Sequence, residues 1–123
     1  MIQILSVNDE HQRKTICHKA GIEDSKDLHI IAIHNQEGIA CEGAIFKYNC
    51  TQGEILWLDM GEDIDLADGL GRAILSIMEI RGIQVVTLPA EYEVLAKKLR
   101  FKKIEDHFEV QLDGYFCCSC QHK

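Results

Sequence analysis

The sequence predicts an α+β fold: a mixed, mostly antiparallel sheet with one parallel strand-helix-strand crossover and flanking helices. Three observations predict it. Between Leu28 and Met60, three apolar runs of strand length are separated by short polar turns, the pattern of an antiparallel meander. The apolar period then lengthens, with Leu70, Ala73, Ile74, Ile77 and Met78 at helical spacing. A strand-like run follows at 84–88, so strand, helix and strand make one parallel crossover. A sheet with helices packed on it is the economical way to bury these faces.

Each element follows in order. Residues 2–6 read as a short strand. Asn8 or Asp9 caps a helix over 10–20 that Gly21 stops, and its apolar face of Ile16, Cys17 and Ala20 is thin. Residues 28–34 form a strand, Asn35-Gln36-Glu37-Gly38 a turn, and 39–48 a second strand with Gly43 as a bulge site. After the turn at 49–53, residues 54–60 make the third strand. Arg81 and Gly82 close the long helix. Pro89 opens another, with Tyr92, Leu95, Ala96 and Leu99 on its apolar face. Residues 101–116 read as a last hairpin turning near Glu105-Asp106-His107.

With 123 residues, 46% of them hydrophobic, the chain supports one domain over 1–123 with a real core. The net charge of −7 argues against broad nucleic-acid binding, which needs Lys and Arg on phosphates. No apolar run approaches the roughly 20 residues of a membrane helix, and the N-terminus lacks the basic and apolar regions of a signal peptide. The expectation is a cytoplasmic protein that binds neither nucleic acid nor membrane, its six cysteines reduced. The tail over 117–123 gathers Cys117, Cys118, Cys120 and His122, four groups of the kind zinc takes. They are crowded, and adjacent Cys117 and Cys118 would point to opposite faces of a strand. A strand-end tail without metal is favoured over a metal or redox centre.

The most informative stretch is Asp68-Gly69-Leu70-Gly71-Arg72, placed between the third strand and the long helix. Glycine costs about 1 kcal/mol against alanine inside a helix, so two of them need a reason. One is close approach of a phosphate to bare backbone at a helix start. The other is capping by Asp65 or Asp68, with the glycines allowing tight packing. Spacing alone leaves the two level. In its setting, however, the segment resembles the Gln/Arg-x-x-Gly-x-Gly/Ala block of the N-acetyltransferase (GNAT) superfamily. The strand at 84–88 and the helix ending Lys97-Lys98-Leu99-Arg100-Phe101 are similar to that family's second block, which ends Tyr-x-x-x-Gly-Phe. The resemblance covers 28–112.

It implies an acyl-CoA N-acyltransferase-like fold, acetyl-CoA as co-substrate, and acetyl transfer to a small-molecule or peptide amine. Gly69, Leu70, Gly71 and Arg72 would hold the pyrophosphate, and Leu58 and Met60 would lie along the pantetheine. Asp59 is the best-placed general base, ahead of Glu54, although a solvated residue at a strand end is its commoner role. Tyr92 would serve as the acid, although a core aromatic is its commoner role. Because little chain precedes Leu28, either the acceptor pocket is open and suited to a large substrate, or a second subunit completes it as a homodimer.

The chain also departs from the family. Leu66 stands at the Gln/Arg position, and the approach to the helix carries Glu62, Asp63, Asp65 and Asp68. Two unit charges 4 Å apart interact by about 1 kcal/mol even in bulk water, so these weaken a polyanion site. Ala96 stands where the family places its tyrosine, and Arg100 replaces the glycine before Phe101. The run Lys97, Lys98, Arg100, Lys102, Lys103 reads first as a solvated helix end and second as a partner for CoA phosphates. The alternative to an acyltransferase is a non-catalytic GNAT-like module that binds a ligand or a protein.

Overall fold

The computed structural model describes residues 3–34, 40–59 and 64–112. Seven strands form one sheet: β1 Gln3–Ser6, β2 His29–His34, β3 Ala40–Tyr48, β4 Gln52–Leu58, β5 Val85–Pro89, β6 Lys102–Ile104 and β7 His107–Gln111. Their order is β1-β2-β3-β4-β5-β7-β6, and every neighbouring pair is antiparallel except β4 with β5. The meander and the crossover stand where the sequence places them. The turn at 35–38, Met60, Glu62, Asp63 and the cysteine tail lie outside the described residues.

Helix α1, Glu10–Ala20, begins where Asp9 accepts a hydrogen bond from the Gln12 N–H, and Gly21 closes it in the left-handed region at φ 73°. Its apolar face is as thin as the sequence suggests, and Arg13 makes up the difference. The guanidinium donates to Asp24 at 2.7 and 3.2 Å, and to the carbonyls of Val7, Ser25 and Leu28. One side chain thus ties the helix to both flanking segments. Ile16 and Cys17 pack with Ile30, Ala32 and Ile45 on one face of the sheet.

The opposite face holds the larger core. Strand alternation turns Ile31, Phe46, Ile55, Val86 and Leu88 toward helices α2, Ile64–Ile80, and α3, Glu93–Lys98. Those helices contribute Leu70, Ile74, Met78 and Leu95, all fully buried. Pro89 leads into a 3-10 turn, Ala90–Tyr92, before α3.

One expectation needs correction. Helix α2 begins at Ile64, five residues before Gly69, so the two glycines lie in its second and third turns and not at its start. Neither Asp65 nor Asp68 is its cap: Asp65 is in the first turn, and Asp68 pairs with Arg72 one turn on. The physical reason for Gly71 is packing. A Cβ there would stand 2.6 Å from Leu99 Cδ1, whereas one on Gly69 would meet only Ile4 Cδ1 at 3.7 Å.

Candidate functional site

The parallel pair sets the geometry of the site. Strands β4 and β5 pair only from Gln52–Val85 to Glu54–Thr87. Beyond that they fork, while β4 runs on to Leu58 and β5 to Pro89. Two local causes are visible. Against β3 the register jumps from Ile45–Trp57 to Phe46–Ile55, which leaves Leu56 as the extra residue of a bulge. Bulges bend a strand and increase its twist. On the other arm, Pro89 has no N–H to offer a ladder. The fork holds a cleft of about 340 Å³ between Ile55, Leu56 and Leu88, Pro89, with Glu54, Thr87 and His107 at its sides. A larger cleft of about 640 Å³ shares Glu54 and Thr87 with it and continues toward Lys26 and Lys47.

Four groups around this fork carry chemistry. Tyr92 is buried, and its hydroxyl accepts a hydrogen bond from the Leu58 N–H at 3.0 Å, joining the 3-10 turn to β4. Burial raises the phenol's pKa, against the lowering effect of that hydrogen bond. Asp59 follows β4 directly; its N–H donates to the Gly43 carbonyl, and its carboxylate receives the Lys19 ammonium at 2.6 Å. On β7, His107 lies between Glu109, 2.9 Å from Nε2, and Asp106, 3.2 Å from Nδ1. The two carboxylates, Glu109 first, raise its pKa. Glu54 is exposed and stands 3.7 Å from Lys47. The Leu58 side chain is core, so only its backbone borders the fork.

Neither a family model nor any curated protein matches the sequence. Solved structures do match the fold. The spermidine/spermine N-acetyltransferase SpeG of Vibrio cholerae, in mutant form, aligns at TM-score 0.71 with 8% identity, over 96% of this chain and 98% of that one. The ribosomal-protein-S18-alanine N-acetyltransferase of Escherichia coli gives 0.70 and 11%, over 91% and 94%. The GNAT family N-acetyltransferase YhbS of Escherichia coli, solved in complex with CoA, gives 0.66 and 11%, over 94% and 84%.

The chain has the GNAT fold.

On this fold the Leu58 N–H meets the Tyr92 hydroxyl across the fork, while Asp59, the next residue, meets Gly43 of β3 and Lys19 of α1. The structure places Gly69 to Arg72 inside α2, where N–H groups bond carbonyls four residues back. The unpaired amides of an α-helix belong to its first turn, which here begins at Ile64. Leu70 and Gly71 are buried, and Arg72 is half-exposed beside Asp68. Sequence reasoning missed Lys19 and His107. The alternation of His107 and Glu109 on a strand was a signal for the second; nothing in sequence brings Lys19 to Asp59.

Proposed function

We propose that the chain is an N-acyltransferase that takes its acyl group from acetyl-CoA and gives it to an amine. The observation that carries this is the fork: a bulged β4 parting from its parallel neighbour around a cleft with ionisable groups at its mouth. The pantetheine would run along the backbone of β4 near Leu58 and Met60. The phosphates would lie toward the start of α2, with Arg72 on the same helix. Asp59 would take the proton of the acceptor amine and Tyr92 would return one to the leaving thiolate. Binding at the fork requires the Leu58 N–H to exchange its Tyr92 partner for the donor, or the donor to use other amides of β4.

Calorimetric titration with acetyl-CoA tests this on the wild type and on Thr87→Trp, whose indole would fill the cleft. Binding in the micromolar range that weakens at least about tenfold, or 1.4 kcal/mol, in the variant is the expected result. No binding at millimolar acetyl-CoA by a folded chain would sink the proposal. That outcome would leave the non-catalytic module, which the existing Tyr92–Leu58 and Lys19–Asp59 contacts favour.

A further inference from the structure

We infer that Lys19 is an acylation site of the chain itself: its ε-amine, seated on Asp59, is an internal acceptor for the acyl group of bound acyl-CoA. This rests on the acyltransferase function proposed above. Lys19 lies in the last turn of α1 and Asp59 just after β4, 40 positions on. Their contact at 2.6 Å is the shortest lysine–carboxylate pair among the described residues. Its carboxylate is also the only nearly buried one in that set, 12% exposed where Glu10, Glu54, Glu93 and Asp65 are at least half exposed.

These features set the pair apart from a surface ion pair, which contributes little and exchanges freely. Asp59 is fixed by its own backbone hydrogen bond to Gly43 and directly follows Leu58, whose N–H meets Tyr92. The Lys19 side chain is 58% exposed, so its amine has room to turn toward a donor. A general base must stand within about 2.6–3.2 Å of the atom that carries the proton it removes, and Asp59 does. The amine position on the base is therefore filled by the chain.

The step balances as follows. Asp59 Oδ2 takes a proton from the Lys19 ammonium, and the freed lone pair on Nζ forms a bond to the thioester carbonyl carbon. The C–S bond breaks, its electron pair leaving on the CoA sulfur. A second proton passes from the nitrogen to that thiolate, and Asp59 releases its proton to solvent. The products are an Nε-acyl-lysine at position 19, free CoA thiol and one proton. Acylated Lys19 carries no charge and no longer forms an ion pair with Asp59.

Peptide mass spectrometry of the full chain after incubation with acetyl-CoA tests this, with calorimetry reporting donor binding on the same sample. The expected result is one acetyl group on Lys19, formed at a rate independent of protein concentration. It should exceed the rate at Lys14, an exposed lysine on the same helix, by about a hundredfold, the low end of general-base catalysis, and fall by a similar factor in Asp59→Asn. Donor binding with Lys19 acetylated no faster than Lys14 overturns the inference while the acyltransferase function stands. No donor binding by the folded chain overturns both. The comparison of Lys19 with Lys14 uses the wild type alone, so it holds even where Asp59→Asn fails to fold.

Discussion

Of Gly69 and Gly71, two positions apart on α2, only Gly71 has a packing reason to be glycine. At Gly71 an added methyl group would press on Leu99, which is fully buried and has no solvent to turn into. Overpacking of this kind costs about 1–3 kcal/mol, against a helix-propensity gain of about 1 kcal/mol from alanine. Gly71→Ala is therefore expected to destabilise by up to about 2 kcal/mol, and Gly69→Ala to stabilise by about 1 kcal/mol, both read from urea midpoints at unchanged slope. Equal shifts in the two variants would show that Leu99 yields. The sequence marked this pair as anomalous, yet could not say which glycine packs, because Leu99 comes from another helix. Arg100 adds a related point: it takes φ 65°, the left-handed conformation that the family's glycine would adopt without strain.

At the scale of elements, local signals placed strands and helices well and left the fork hidden. Asp9 and Gly21 bound α1 as their types suggest. The bulge is different: Ile55, Leu56, Trp57 and Leu58 are a continuous apolar run, with no alternation to show where the phase slips. Only pairing with β3 reveals Leu56 as the extra residue. Tyr92 then bridges the arms of the fork. Tyr92→Phe leaves the Leu58 N–H, buried behind the ring, without its hydroxyl partner, an expected loss of about 1–3 kcal/mol in unfolding free energy. If the donor uses that amide, the same variant should bind acetyl-CoA more tightly, which calorimetry would show. A loss of binding would instead mark the phenol as part of the donor site.

For the whole molecule, two histidines with neighbours of opposite charge give stability a pH dependence of opposite sign. His107, its pKa raised above 6.5 chiefly by Glu109 and then Asp106, binds its proton more tightly in the folded chain. Its contribution is complete below about pH 6.5 and is lost as pH rises through the raised value. His29 stacks on Tyr48 at 4.7 Å, and burial, then Arg81 and Arg13, lower its pKa below 6.5. Its contribution is complete above about pH 6.5 and is lost as pH falls toward the lowered value. Thermal unfolding across pH should show a smaller alkaline loss of Tm in His107→Gln and a smaller acid loss in His29→Phe. Variants that track the wild type on both limbs would refute the assignment. No helix among the described residues is long and apolar enough to cross a membrane. The sequence by itself determined the order of elements, the meander and the crossover, because hydrophobic period and capping are local properties that survive without a partner. Tertiary structure alone decided that Tyr92 meets Leu58, 34 positions away, and that Lys19 meets Asp59, 40 positions away. Contacts across such separations depend on how the sheet twists and forks, and no local pattern records that.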